Sequence, residues 1–296
     1  MRLLPEVVFC EGCYFSDRAV TISGGRITGV APLAPDEAHA PDTVQLPGKA
    51  LLPGTVNTHC HTFQSLLRGL GDDLDFMQWR DRVLYPYSTR LDREGIYLGA
   101  AFAFAEMLLH GVTTCVDFFY LQDEGNENAE AVIQAARDTG IELAIIRPPL
   151  VHGPGVRANF RALLRLVASG VPLPFAAIDN RRSLIFVENL VDLLAEAAVD
   201  PAAAGQVLLA ADGTDLSTPQ MIRVLATGLG RPARLFAVPK GVFTLLRPLP
   251  VLGPPLARLT LSLQVDDGAT RARLGWRPAI SAEEGLTVTA RAFAGR

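Results

Sequence analysis

The chemistry this chain could do begins at His59-Cys60-His61, at the end of a short expected strand. In an extended strand, residues two apart project to the same face, so the two imidazoles point the same way. Two nitrogens so placed can reach one cation at Zn–N distances of about 2.0–2.1 Å. His59 and His61 are therefore the candidate metal ligands, for zinc or iron; a plain surface histidine pair is the competing reading. The chain holds five histidines, His39, His59, His61, His110 and His152. His39 falls in an early loop, and His110 suits a helix C-terminus, where the dipole favours a basic group. Asp117 and His152 are left as the residues that could complete a ligand set.

The remaining reactive residues exclude more than they suggest. Cys10 and Cys13 form a single CxxC with no second pair, and Cys60 and Cys115 stand alone, so neither a disulfide framework nor a zinc ribbon is indicated. A net charge of −4 leaves no electrostatic footprint for nucleic acid or an anionic membrane. The N-terminal run MRLLPEVVFCEGC carries acids and lacks a long apolar core, unlike a secretory leader. The apolar stretch 235–263 is broken by Lys240, Arg247, Arg258 and prolines, so no membrane span is expected. The expectation is a cytoplasmic protein with a small-molecule partner, and neither nucleic acid nor membrane. Oligomeric state is left open.

The elements that must position these residues follow from periodicity and punctuation. Val20-Thr21-Ile22 and Ile27-Thr28-Gly29-Val30 flank Ser23-Gly24-Gly25-Arg26 and predict a hairpin. The Pro-rich stretch 31–41 reads as a loop. A short strand ends at His59. Asp92 to His110 reads as a helix with Asp92 as N-cap and Gly111 as its stop, and Val112–Phe118 as a buried strand. Another helix over Asn128–Thr139 ends at Gly140, and a strand follows over Ile141–Arg147. Alternating strands and helices imply a parallel sheet. Beyond it, helices are expected over Ala158–Ser169, Glu188–Ala198 and Thr218–Leu229, with strands over Arg181–Val187 and Val207–Ala210.

The run Leu52-Pro53-Gly54-Thr55-Val56-Asn57-Thr58-His59-Cys60-His61-Thr62-Phe63-Gln64 resembles the first-strand signature of the amidohydrolase superfamily, in its deaminase and chlorohydrolase-like branch. Gly111–Asp117 fits that family's second barrel strand, and the hairpin its N-terminal β-sandwich. The resemblance spans roughly residues 1–145. It implies a (β/α)8 barrel with its site at the C-terminal ends of the strands. It makes His59 and His61 metal ligands and places Gln64 near the substrate. The bound metal would turn water into a hydroxide that attacks a C–N or C–Cl carbon. It also implies histidines on the fifth and sixth strands and an Asp on the eighth, and no later segment resembles those strands.

From about Gly140 the chain resembles the C-terminal part of extended short-chain dehydrogenases, the UDP-sugar epimerases and dehydratases. The matching runs are Ile146–Gly155, Asp179–Asp192, Ser217-Thr218-Pro219 and Leu274-Gly275-Trp276-Arg277-Pro278. By this resemblance Arg182 faces a substrate diphosphate, for which a guanidinium fork is suited, with Arg273 as a second candidate. The family binds NAD at a Gly-rich strand–helix turn. Here Gly24–Gly29 runs into prolines rather than a helix. The only lysines, Lys49 and Lys240, are preceded four residues earlier by Gln45 and Phe236, so no YxxxK exists. NAD is not expected.

The expected fold class is α/β. A small N-terminal β-sandwich element leads into three parallel βα units of an incomplete (β/α)8-type barrel. These join the C-terminal substrate-binding part of an extended Rossmann-type epimerase. The corresponding segments are 1–55, 56–145 and 146–296. Three functions follow: a metal-dependent hydrolase of deaminase type acting on a C–N bond, a UDP-sugar binding module, or a fusion with no evolved activity. Three barrel-type units leave the former barrel interior bare, and the epimerase-type tail lacks its sheet. A compact body requires those two faces to cover one another.

Overall fold

A computed structural model describes residues 1–32, 37–121, 125–249 and 252–295. The chain forms two compact units, Met1–Thr55 and Val56–Arg296.

The first unit is a mixed sheet of five strands: β1 (Arg2–Cys10), β2 (Cys13–Phe15), β3 (Arg18–Ser23), β4 (Arg26–Pro32) and β5 (Thr43–Leu51). β1 pairs antiparallel with β2 and β3 and parallel with β5. β3 and β4 form the expected hairpin, with Ser23 opposite Arg26. Gly24 and Gly25 both adopt positive φ in its turn, a conformation that costs glycine nothing. The Gly-rich stretch is thus spent on a hairpin. Of the loop expected over 31–41, residues 33–36 lie outside the described residues; Ala31 and Pro32 continue β4, and Glu37–His39 is a 3-10 turn.

The second unit is built on a four-stranded sheet in the order β11-β8-β7-β6, from β6 (Thr55–Cys60), β7 (Val112–Asp117), β8 (Glu142–Arg147) and β11 (Gln206–Leu209). β7 with β8 and β8 with β11 are parallel. Between β6 and β7 come a 3-10 turn (Thr62–Leu67), two single-turn helices, α1 (Phe76–Trp79) and α2 (Tyr85–Ser88), and the long α3 (Arg93–Leu109). Asp92 caps α3 by accepting the Gly95 N–H at 2.8 Å. α4 (Glu127–Thr139) ends where Gly140 turns left-handed, φ +84, and releases the chain into β8.

After β8 come β9 (Leu150–His152), α5 (Ala158–Ala168), β10 (Leu184–Phe186) and α6 (Val187–Val199). Beyond β11 lie α7 (Thr218–Gly228), α8 (Lys240–Leu246), α9 (Gly253–Thr260), α10 (Gly268–Leu274) and α11 (Ala282–Ala294). β10 pairs parallel with β9 in a separate two-stranded sheet. It is shorter than the strand expected over Arg181–Val187, because the backbone of Arg182 bridges Leu216 and Leu263 instead.

Strand alternation assigns the two faces of the main sheet to two cores. Leu143 and Ile145 of β8 and Cys115 of β7 pack with Phe63, Ile96, Phe104 and Val132 beneath α3 and α4. Their neighbours Ala144, Ile146 and Val116 point the other way, into a core with Ile185, Leu190, Leu193, Leu208 and Trp276. The second face is therefore covered by α6 and the segment around Trp276, and β11 supplies the next strand. A further core joins α5, α7 and α11 through Phe160, Leu164, Leu225 and Leu286. The result is a mixed α/β protein with parallel and antiparallel sheets. Among the described residues no helix is long and apolar enough to cross a membrane.

Candidate functional site

β6 ends with His59 exposed on the outer strand of the sheet and delivers His61 to the entrance of the Thr62–Leu67 turn. The two rings stand 5.1 Å apart, centre to centre, at an interplanar angle of 82°. His61 Nδ1 lies 2.8 Å from the Phe118 carbonyl oxygen. A carbonyl only accepts, so Nδ1 carries the proton and the Nε2 lone pair is left for a ligand. Burial, opposed by that hydrogen bond and reinforced by His59, holds the His61 imidazole below its ordinary pKa. The Phe118 ring lies 4.9 Å from His59, and the Tyr120 ring 5.2 Å from His61.

The ends of β6, β7 and β8 meet at a cavity of about 350 Å³ lined by His61, Phe118, Phe119, Tyr120, Ile146, Arg147 and Pro148. That volume is at the lower end of the range for small-molecule sites. Its walls come from both sides of residue 145. Arg147 donates to Asn126 Oδ1 at 3.0 Å, and burial pulls its guanidinium below the ordinary pKa. Gln64 donates to the Tyr120 hydroxyl at 2.7 Å and lines a neighbouring cavity of about 460 Å³ with Cys60, His61, Arg68, Glu106 and His110. His61 borders both spaces. Phe118 and Tyr120 escape a reading by motif; their one sequence signal is a position just past the end of a parallel strand, where α/β sheets bind ligands, and Arg147 lies within the epimerase-like run Ile146–Gly155.

Neither residue considered for completing the metal set joins it. Asp117 is fully buried and accepts from the Thr62 hydroxyl at 2.5 Å and, at 3.4 Å, from the Thr62 N–H. Burial, only partly offset by these bonds, pushes its carboxyl up to about 7. His152 is buried elsewhere, with Nδ1 3.0 Å from Thr289 Oγ1, Nε2 3.7 Å from Asp212 Oδ2, and its ring stacked on Phe160. Among the described residues no group of three His, Cys, Asp or Glu side chains could hold a metal ion. The spacing of His59 and His61 suits one shared cation, but two donors do not fit a catalytic zinc, which takes three protein ligands and keeps one position open.

The two arginines lie apart from this edge in the chain and in their surroundings. Arg182 is half-buried and desolvated, which lowers its pKa, and Nη1 donates to the Leu261 carbonyl at 3.0 Å. It lines a cavity of only about 70 Å³ with Leu150, Asn159, Phe160 and Arg258 among others. Arg273 is exposed on α10, and its side chain makes no hydrogen bond or ion pair among the described residues.

A sequence profile of the amidohydrolase family matches residues 50–200, just over half of the chain and across residue 145. Over 154 residues the chain is 34% identical to a 5-methylthioadenosine/S-adenosylhomocysteine deaminase of Symbiobacterium thermophilum, covering 51% of this chain and 33% of that protein. Over 175 residues it is 44% identical to a UDP-glucose 4-epimerase of Vibrio cholerae, covering 58% of this chain and 53% of that protein. The chain thus spans about half the length of the epimerase and a third of the deaminase. Among solved structures, an epimerase of Methanothermobacter thermautotrophicus matches with a TM-score of 0.50 at 15% identity, over 86% of this chain and 85% of that one. That likeness is one of fold. An amidohydrolase-like part and an epimerase-like part are combined in this protein as a chimera. With its profile matched over half its length, the chain belongs to the amidohydrolase family.

Proposed function

We propose that the edge formed by the ends of β6, β7 and β8 is a hydrolase site of deaminase type, for a C–N bond on a small planar ring, held by a single chain in incomplete form. The observation that carries this reading is the His59–His61 pair, 5.1 Å apart, with His61 bordering a 350 Å³ cavity walled by Phe118 and Tyr120. A planar ring there is offered aromatic faces, which favour stacked or edge-on contact. The amidohydrolase profile and the deaminase relatives support the same class. In this reading residues 56–145 form the amidohydrolase part, 146–296 the epimerase part, and 1–55 the β-rich segment before them. The family uses a divalent metal, but the two donors present do not make a catalytic metal site, so the reading assigns this chain ring binding and no turnover.

The test is calorimetric titration with 5-methylthioadenosine, with zinc uptake of parent and variants measured beside it. Binding that is lost in Phe118→Ala, and weak zinc uptake lost in His59→Ala and His61→Ala, is expected. Absence of both binding and zinc uptake would refute the reading.

A second reading is favoured by Arg182, a desolvated guanidinium with no carboxylate partner among the described residues, in a chain 44% identical to an epimerase. It makes the C-terminal part a nucleotide-sugar binding module, with the 70 Å³ cavity opening to admit a ligand. Equal heats for UDP-glucose with the parent and Arg182→Ala reject it. Failure of both titrations leaves a fusion with no evolved activity.

A further inference from the structure

The first unit holds a pair of thiols, Cys10 and Cys13, and its fold sets them opposite one another. They close the hairpin of β1 and β2 in antiparallel register, with Phe9 opposite Tyr14 and Val8 opposite Phe15 behind them. The residues between them, Glu11 and Gly12, both take positive φ, +50 and +78. That is the two-residue turn whose twist matches paired strands, so it fixes the ends in register. The Phe9 and Tyr14 rings pack 4.9 Å apart and hold the same register from the next pair.

Opposite residues of antiparallel strands project to one face, with Cα atoms about 4.5–5.5 Å apart. A disulfide spans Cα separations of about 4.4–6.8 Å, so the pair can be bridged without moving the backbone. Both cysteines are free; Cys13 is exposed and Cys10 half-buried. Arg18 holds the Cys10 sulfur in place. Its Nη1 donates to Sγ at 3.7 Å, while its guanidinium carbon lies 3.7 Å from the centre of the Phe15 ring. Phe15 is two residues from Cys13 and shares its face of β2, so Arg18, Cys10 and Cys13 lie on one side of the hairpin.

We propose that Cys10 and Cys13 form a reversible disulfide, making this hairpin a thiol–disulfide exchange site for low-molecular-weight disulfides. The exposed Cys13, as its thiolate, attacks one sulfur of the incoming disulfide. That S–S bond breaks, a mixed disulfide forms on Cys13, and the first small thiol leaves with a proton. Cys10 then gives up its proton and attacks Cys13 Sγ, releasing the second small thiol. The protein dithiol loses two electrons and two protons, and the small disulfide gains both. The new bond encloses only Glu11 and Gly12, so it removes little chain entropy from the unfolded state and adds little stability. An exposed bond that stabilises weakly is one that exchange reverses.

The experiment equilibrates the full chain, reduced and freed of metal with EDTA, in mixtures of reduced and oxidised glutathione. Samples are quenched with acid, alkylated and digested with trypsin. Cleavage after Arg2 and Arg18 places both cysteines in one peptide, Leu3–Arg18, apart from Cys60 and Cys115. As oxidised glutathione increases, that peptide is expected to pass from doubly alkylated to unalkylated and two hydrogens lighter, in a single two-electron step that dithiothreitol reverses. In urea the same step is expected to need at least about tenfold more oxidised glutathione, because the hairpin no longer presets the pair. Cys10→Ser is expected to stop at a glutathione adduct on Cys13. Cys13→Ser is expected to form its adduct on the half-buried Cys10 about tenfold more slowly. A peptide that stays doubly alkylated throughout would overturn the proposal. So would adducts on both cysteines without the internal bond, a disulfide between chains, or equal oxidation of the folded and urea-unfolded chain.

Discussion

The Thr62 hydroxyl donates to Asp117 Oδ2 at 2.5 Å, and the other carboxyl oxygen, Oδ1, is buried without a hydrogen-bond partner. One end of the β7 carboxylate is thus satisfied and the other is not, and an unsatisfied buried charge is costly. Burial accordingly holds the folded-state pKa at about 7, against an ordinary 3.8. The sign of the consequence follows from proton counting. Between these values the folded chain keeps a proton that the unfolded chain has released, so raising the pH across the window removes stability. At about 1.4 kcal/mol per pH unit, the loss reaches a few kcal/mol by pH 7 and stays level above it. Asp117→Asn keeps an acceptor for Thr62 and removes the titration. Its stability relative to the parent is expected to grow from pH 4 to pH 7 and then plateau, measured by urea unfolding at each pH. A difference that stays constant with pH would show that Asp117 does not titrate in this way.

The Phe118 residue plays two separable parts, and one substitution divides them. Its carbonyl accepts from His61 Nδ1, while its ring packs 4.9 Å from His59 and walls the cavity. Phe118→Ala keeps the carbonyl and deletes the ring. Zinc affinity, read by competition with a chromogenic chelator, is expected to change by less than about tenfold, whereas loss of a ligating imidazole in His61→Ala exceeds that, given that outer-shell changes alone cost 10–100-fold. Binding of a planar ring is expected to fall in Phe118→Ala. Equal effects of the two substitutions on zinc would contradict this division.

The elements were legible in the sequence where a local signal decides them. Asp92 caps α3 and Gly140 stops α4, each as its residue type announces. β10 was not legible in its true length, because Arg182 and Ser183 spend their backbone on Leu216 and Leu263, far along the chain. The His59–His61 pair was legible because its two-residue spacing is itself the geometric statement. The cavity was not. Phe118, Tyr120, Arg147 and Pro148 meet His61 only because β6, β7 and β8 are neighbours in the sheet, and no spacing records that. His152 and Asp117 show the converse: both carry ligand chemistry, and packing commits each to a buried structural bond.

How firmly the segments before and after residue 145 are joined is set at Leu193. This α6 side chain is fully buried in the core formed on one face of the main sheet, with Val116 of β7, Ile146 of β8 and Trp276. It thus sits on a helix after residue 145 and packs in one core with strands on both sides of that residue. The chain has two tryptophans, and they report on opposite faces of the sheet. Trp79 packs against the α3–α4 core, and Trp276 lies in the core of Leu193, its Nε1 donating to Asp192 at 2.9 Å. If Val56–Arg296 unfolds as one unit, Leu193→Ala must lower the stability seen by both. A loss of about 2–5 kcal/mol is expected for a buried leucine, because transfer and cavity terms add. Trp79→Phe and Trp276→Phe variants isolate each signal in denaturant unfolding. Coincident midpoints that shift together with Leu193→Ala are expected. A shift confined to Trp276 would mean that the two faces of the sheet unfold independently and that the join is not a cooperative core.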